Sequence, residues 1–500
     1  MVSAKLLQIF ATGPQDKILY GNPKITYFKT VYKQHTNFGS NYIVKDLSNY
    51  ADFGKTLRIK VPREGDLLGA TYIRFQLSLF TTSGKTVPLY TSFCNGIGSV
   101  IIEEIGLYVG GKKIESFPGE WIMLDNELYN DNNRKKEFYK MIQYHENEFN
   151  VGTINEFQYQ NTSAPKYTID IPDRLADNSG KIDVLVPIPF FYTKESGHYL
   201  PVCAMNEENI EILVKIRDSD SCLSKRTNTL PNTGTFGTNS GYLLDDNNTL
   251  VQSSVDYGEI IDELVTPKID NMQIIYNYYY LDDREKKFFM NTDHRYIVPL
   301  AKQLIPSTHG WQAESQNIKT TLDIKNPVKF IVWTLQRNSI KVNLHDYFNF
   351  TYSPTVGTLE PTPGGINLPF ETISDCNKYM VTNYNFNING HPLLDKMPSN
   401  ILKSAEIYNK FKTNSHLLFY TYSFALNPKD IYPSGTLNFS RIKNTDIIFN
   451  LQDKTIDIDD NDIDDTHFPD YKDDKFILAP YTVSYNILAI KDGLTGLEFI

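Results

Sequence analysis

The sequence contains no run of about 18 apolar residues, the length a membrane-crossing helix needs. A spanning helix is thereby excluded, while a role at a membrane surface stays open. Cysteine is scarce: Cys94, Cys203, Cys222 and Cys376 are the only four in 500 residues, and none belongs to a C-x-x-C pair. That spacing excludes a zinc ribbon and a dense disulfide framework. It fits a reducing compartment with all four as free thiols. The sequons at Asn161, Asn247, Asn349 and Asn438 then carry little weight. No long Lys/Arg run is present, and the net charge is −10, so direct wrapping of nucleic acid is disfavoured. Leu6 to Ala11 is too short and too interrupted, by Gln8, for an export signal. Phosphate-cradling glycine loops, H-E-x-x-H and G-x-S-x-G are missing, and so is any internal repeat.

What the chain does have is aromatic residues and alternation. Tyr occurs 33 times and Phe 29 times, types that suit pleated, half-buried surfaces. Ile73, Phe75, Leu77 and Leu79 alternate with polar neighbours, as do Leu57, Ile59 and Val61. Ile210, Ile212, Val214 and Ile216 share one face of a further strand, and Val483, Tyr485, Ile487 and Ala489 are expected to share one near the C-terminus. Gly110-Gly111 reads as a tight hairpin turn. Gly119 to Tyr144 lacks alternation and is expected to hold one or two short helices. Asp282-Asp283-Arg284-Glu285-Lys286-Lys287 has acids first and bases after, the pattern of a capped helix start, and follows the alternating strand Met272 to Leu281. This helix is the expected boundary between two domains. Asp218 to Asp256 and Thr351 to Leu368 are polar and read as long loops. Many short strands with turns between them predict β-sandwiches or barrels, and the length suits two.

The segment Gly13 to Phe38 carries a family resemblance. Asp16, Gly21, Asn22, Pro23, Ile25, Thr26, Phe28, Lys29, Tyr32, His35, Thr36, Asn37 and Phe38 match the N-terminal signature of major capsid proteins of nucleocytoplasmic large DNA viruses. Further blocks follow in the family's order. Gly119-Glu120-Trp121 resembles its G-E-W segment. Leu200-Pro201, the strand Asn209 to Arg217, and Tyr280 through Phe289 resemble later blocks. Asn326-Pro327-Val328-Lys329 with Trp333, Phe424 to Pro428, Pro433-Ser434-Gly435, Asn438 to Arg441 and Tyr485 to Leu488 complete the set. The positions singled out as structural are Asp16, Gly21, Asn22, Pro23, Phe28, His35, Asn37, Phe38, Trp121, Asn326, Pro327, Asn427, Pro428 and Gly435.

The resemblance implies an all-β chain of two tandem eight-stranded jelly-roll β-sandwiches with a few short helices. The expected layout is an N-terminal arm at 1–24, a first jelly roll at 25–281, a linker helix at 282–295 and a second jelly roll at 296–500. It implies a structural protein with no catalytic site, cofactor or metal. Such a subunit forms a homotrimeric, pseudo-hexagonal capsomer that tiles an icosahedral shell. The implied partners are neighbouring capsomers, minor capsid and penton proteins and the inner viral membrane surface, with no direct nucleic acid. The implied location is the virion, after assembly in host cytoplasm. Counting Asn209–Arg217 and Met272–Leu281 as strands seven and eight, the polar stretch between them is expected at the end shared by loops four-to-five and six-to-seven. In the resembled family those loops face outward.

Individual residues have plain readings beside these. Asn22 before Pro23 is pushed to extended backbone, and Pro suits strand entry because it cannot donate to a ladder. His35 has no second ligand at helical or hairpin spacing, so a hydrogen-bonded structural role is favoured. Glu103 and Glu104, adjacent on a strand, are expected on opposite faces, one solvated and one paired, which disfavours a glycosidase pair. The run Asp457 to Asp465 has the carboxylate density of a calcium loop, but Asp462 stands where an EF-hand needs Gly and Phe468 where it needs Glu. A solvated acidic loop is favoured, with weak cation binding as the alternative. Two other classes compete with the capsid reading. A carbohydrate-binding sandwich would use Tyr-rich loops, and a sandwich hydrolase would need a convergent carboxylate pair.

Overall fold

The computed structural model describes residues 26, 28–30, 32, 34–81, 93–144, 181–223, 241–244, 250–253, 265–310, 317–338, 341–342, 345–350, 381–451 and 475–499. Met1–Phe38 forms one unit and Gly39–Ile500 a second. In the first unit the described residues are exposed, and His35 Nδ1 lies 2.8 Å from the Thr36 carbonyl oxygen.

In the second unit, period-two alternation builds eight long-range strands in the first half of the chain. They are β1 (Phe38–Asp46), β2 (Thr56–Lys60), β3 (Leu67–Thr81), β4 (Ile102–Val109), β5 (Lys112–Phe117), β6 (Lys181–Pro187), β7 (Ile210–Ile216) and β10 (Val265–Leu281). Ile73, Phe75 and Leu77 on β3 and Ile210, Ile212, Val214 and Ile216 on β7 are buried, as their alternation predicts. The side chain of Leu79 is outside the described set. Gly110 and Gly111, at φ 55° and 77°, turn β4 into β5 with the left-handed backbone a two-residue hairpin needs. The polar stretch expected as loop contains a further hairpin, β8 (Gly241–Leu244) with β9 (Leu250–Ser253).

A second set follows the helix at Asp283–Asn291. It comprises β11 (His294–Gln303), β13 (Asn317–Thr321), β14 (Pro327–Arg337), β15 (Val381–Ile388), β16 (His391–Pro398), β17 (Tyr420–Ser423), β19 (Thr445–Leu451) and β20 (Lys475–Lys491), with β12 (Ser307–Gly310), β18 (Leu437–Asn438) and β21 (Leu494–Leu497) as short additions. Among the described residues the α-helices are α1 (Ile97–Val100), α2 (Gly119–Tyr129), α3 (Asn132–Ile142) and α4 (Asp283–Asn291), and π-helical turns occur at Ile401–Ala405 and Ile407–Phe411. Two of these, α2 and α3, lie within Gly119 to Tyr144, where one or two short helices are expected. Asp282 caps α4 by accepting the Glu285 N–H at 2.8 Å.

The same sheet order recurs in both sets. Strands one, eight, three and six make one sheet (β1-β10-β3-β6, then β11-β20-β14-β17), and strands two, seven, four and five the other (β2-β7-β4-β5, then β13-β19-β15-β16). That is the pairing of a jelly roll, four strands facing four. β5 and β11 run parallel and meet at one pair, Ser116 with Lys302, which fuses a sheet of each roll into one of eleven strands.

Two expectations need correction. Successive loops alternate between ends, so the connection after β7 lies with loops one-to-two, three-to-four and five-to-six, not with four-to-five and six-to-seven. The hydrogen bonds agree: Gly54 N–H, before β2, donates to Arg217 O at 3.1 Å, while Gly110 N–H, in the β4–β5 turn, donates to Asn209 O at the other end of β7. On β20 the face Val483, Tyr485, Ile487, Ala489 holds only in part. Val483 and Tyr485 are buried, but beyond them Leu488 and Ile490 are the buried positions. This strand is covered on both sides along most of its length, so alternation does not report a single inner face.

The larger apolar cluster is not confined to the first roll. It joins Ile73, Phe75, Trp121, Val184 and Ile212 to Phe330, Val332, Phe411, Tyr481 and Leu488 from the second. A smaller one, around Trp333, Tyr384, Phe449 and Phe476, belongs to the second roll.

Candidate functional site

The informative surfaces of the described residues are the seam between the rolls and the loops braced against it. The seam begins at Gly119. A Cβ there would stand 1.9 Å from Ser99 O and 2.3 Å from Ile102 O, so only glycine lets α2 start against that backbone. Trp121, fully buried, stacks on Tyr481 of β20 with ring centroids 5.3 Å apart. Glu120 lies 3.2 Å from Arg217 Nη2 and 3.4 Å from Lys341 Nζ. Burial alone would raise its carboxyl, but Lys341 and Arg217 outweigh that and hold it at about 2.

Farther along α2, Glu127 and Lys135 of α3 form a fully buried ion pair at 3.1 Å. Tyr139 OH donates to Glu127, Lys135 donates to the Asn414 carbonyl, and the His416 N–H reaches Glu127 at 3.3 Å. The pair therefore binds the helices of the first roll to residues 414–416 of the second. Asp125 takes Lys194 at 2.5 Å, and that ammonium also sits 3.9 Å over the Tyr129 ring. Lys329, on β14, donates to Asp430 O at 2.9 Å, and burial together with Lys194 pushes its ammonium down to about 8. These buried charges escape a sequence reading. In K-K-I-E-S-F or M-L-D-N-E-L each carboxylate occupies a position that would be solvated if no second layer covered it.

The second-roll motif residues converge on one braced loop. Asn326 adopts φ 68° at the entry to β14, its N–H donating to Ser440 Oγ at 3.1 Å and its carbonyl accepting from Phe439 N–H at 3.1 Å. Pro327 then pairs with Asn438. Asn427 N–H donates to Ser434 Oγ at 3.0 Å, and Pro428 is buried. Gly435, at φ 141°, has its would-be Cβ 2.6 Å from Phe424 O, so a side chain is excluded. The loop presents Leu426 and Tyr432 to solvent, 69% and 80% exposed. Asn326, Pro327, Asn427, Pro428 and Gly435 are thus brought together, while Trp121 lies apart in the seam. In the N-terminal unit Phe28, His35, Asn37 and Phe38 are exposed, and Asp16, Gly21, Asn22 and Pro23 lie outside the described residues.

The two neighbouring glutamates differ from expectation. The register of β4 slips between Ile102 and Glu104, which breaks the simple alternation, and both take lysine partners: Glu103 with Lys215 at 2.6 Å, Glu104 with Lys113 at 3.3 Å. Cys94, Cys203 and Cys222 are outside disulfides, with Cys376 beyond the described residues. The acidic run Asp457 to Asp465 and the stretch Thr351 to Leu368 also lie outside them.

Residues 26–282 match the family profile described as "Major capsid protein N-terminus", and residues 285–496 match "Large eukaryotic DNA virus major capsid protein". The chain belongs to the major capsid proteins of large eukaryotic DNA viruses. This capsid protein is 21% identical to the major capsid protein of Phaeocystis pouchetii virus and 23% identical to that of Paramecium bursaria Chlorella virus 1, each alignment covering 99% of both chains. Its fold is also that of solved capsid proteins. A quasi-atomic model of the Chlorella virus capsid superposes with TM-score 0.64 at 18% identity, over 95% of this chain and 100% of that one. The Faustovirus major capsid protein gives 0.61 at 12% identity, over 96% and 94%. The capsid protein is therefore a double jelly roll with a structural role, and not an enzyme. The motif blocks described above are its seam and loop braces.

Proposed function

We propose that this capsid protein forms a homotrimeric, pseudo-hexagonal capsomer and that capsomers tile an icosahedral virion shell. The observation that carries this is the repeated jelly-roll sheet order, with the rolls fused through β5 and β11 and through a shared core. Three such subunits present six similar sandwiches, which suits six-fold tiling. The layout is an arm at 1–24, rolls at 25–281 and 296–500, and a linker at 282–295. Support comes from the capped helix α4, whose start at Asp283 lies where the first family match ends, at 282, and the second begins, at 285. Neighbouring capsomers, minor capsid and penton proteins and an inner membrane surface are the partners, with assembly in host cytoplasm. The net charge of −10 argues against direct genome contact. Phe28 and Tyr32, 99% and 86% exposed, are suited to burial against neighbouring subunits.

Mass photometry of the purified chain tests this. A trimer is expected, with hexagonal outlines in negative stain; monomer alone at micromolar concentration counts against it. We place the long polar connection Asp218 to Asp256 at the outer end, because hydrophilic backbone needs solvent or partners, and this makes the end it shares with loops one-to-two, three-to-four and five-to-six, not that of loops four-to-five and six-to-seven, the outward one. Limited proteolysis of intact particles should cut there before it cuts the arm.

A further inference from the structure

β1 and β2 are the edge strands of the first roll's two sheets, and a cavity of about 390 Å³ is lined from both. Lys45 of β1 and Lys60 of β2 contribute, as do Arg63 of the β2–β3 connection and Asn206 and Asn209 of the β6–β7 connection. The Gly110 N–H donates to Asn209 O, so the cavity lies toward the β4–β5 turn, away from the connection that follows β7.

Its walls carry three cations and no carboxylate. Lys45 Nζ donates to the Lys60 carbonyl at 3.0 Å. Arg63 directs its guanidinium at main chain: Nη1 donates to Asn206 O at 2.6 Å, and Nη2 to Met205 O at 2.7 Å and to Glu208 O. Among the described residues none of the three forms an ion pair. The carboxylates nearest in sequence are turned elsewhere. Asp46 accepts the Ser48 N–H at 2.8 Å, and Glu208 accepts the Thr495 N–H at 2.7 Å. Glu64 and Glu207 do not line the cavity.

We propose that this cavity binds a phosphate group, carried either by free inorganic phosphate or by a lipid headgroup.

Three like charges held around one cavity repel one another, and nothing in its walls offsets them. A dianionic oxyanion relieves that repulsion, whereas a monocarboxylate would match only one of the charges. Donors remain free to receive it. A guanidinium has five N–H groups, and Arg63 gives three to carbonyls; Lys45 gives one of its three, and Lys60 gives none. Because Arg63 is held by carbonyls and not by a carboxylate, its position is fixed while its charge stays unmatched, which preorganises the site for an anion. The Asn206 and Asn209 amides add neutral donors. The cavity lies toward the inward end under the orientation proposed above. That orientation bears only on the lipid source, not on the site.

Thermal melts of the full-length protein, in inorganic phosphate and in sodium chloride of equal ionic strength, provide the test. Phosphate should raise the melting temperature beyond chloride, and saturably. Lys60→Gln and Lys45→Gln should each weaken the apparent affinity about tenfold, through loss of a charge-assisted hydrogen bond. Lys325→Gln, which removes an exposed lysine of the second roll, should leave it unchanged. Arg63 stays in place because it holds the 205–208 turn. Cosedimentation with phosphatidylcholine vesicles, with and without phosphatidic acid, separates the sources. Retention on phosphatidic acid that Lys60→Gln abolishes assigns the lipid headgroup; stabilisation by phosphate without retention assigns the free anion. The proposal is overturned if neither occurs, if Lys45→Gln and Lys60→Gln bind as the wild type does, or if all three variants lose affinity equally, which reports net charge alone. Mass photometry stays independent of this: a monomer that binds phosphate keeps the site and loses the trimer, and a trimer that does not bind loses the site alone.

Discussion

Gly119 shows how one missing carbon sets a local structure. The helix α2 starts so close to the Ser99 and Ile102 carbonyls that a methyl group would overlap both. Gly119→Ala should therefore force α2 outward and pull Trp121 off Tyr481. A loss of ~3 kcal/mol is expected from overpacking, read as a lower urea midpoint; an unchanged midpoint would show that the helix start is free to move. Glu120, the next residue, yields a pH prediction. Its carboxyl is held at about 2, so it contributes stability above the ordinary value of 4.5 and loses it as pH falls through 2. The stability difference between wild type and Glu120→Gln should shrink by ~3 kcal/mol over that interval, measured by denaturant titration at stepped acid pH.

At the scale of elements, the α2–α3 pair is tied to residues 414–416 by the buried Glu127–Lys135 bond. Removing only the cation strands a carboxylate inside the protein. Lys135→Met should cost ~3–5 kcal/mol, and adding Glu127→Gln should recover much of it. A double-mutant cycle in which the two effects simply add would contradict this coupling. The elements also show how far a sequence can be read. β7 was legible because one of its faces is buried and the other wet. β14 and β20 were harder, since layers on both sides bury them and no period distinguishes their faces. Glu115, Asp125 and Glu127 were not legible as interior charges, because what buries them comes from residues remote in the chain. Asn326, Asn427 and Gly435 were legible as motif positions through family resemblance, but their shared loop became evident only in three dimensions.

At the scale of the molecule, the first roll depends on the second. Phe330, Val332, Phe411, Tyr481 and Leu488 complete the cluster that holds Ile73 and Trp121. A fragment ending at residue 282 should thus be poorly soluble or lack cooperative unfolding, while the full chain unfolds in one transition seen by both fluorescence and circular dichroism. A fragment that melts cooperatively on its own would show that the shared core is dispensable.

The shared core also bears on how the protein is made. A ribosome delivers residues in order, and β20, at Lys475–Lys491, is nearly the last strand to emerge. It pairs with β11, residue 294 against residue 490, and its Tyr481 closes over a tryptophan synthesised some three hundred and sixty residues earlier. Throughout that interval the nascent chain carries an apolar surface with nothing to cover it, and its native cover cannot form early because the covering residues do not yet exist. Cells producing this subunit in bulk must shield that surface during translation, so its yield will be governed by chaperone capacity more than by the stability of the finished fold.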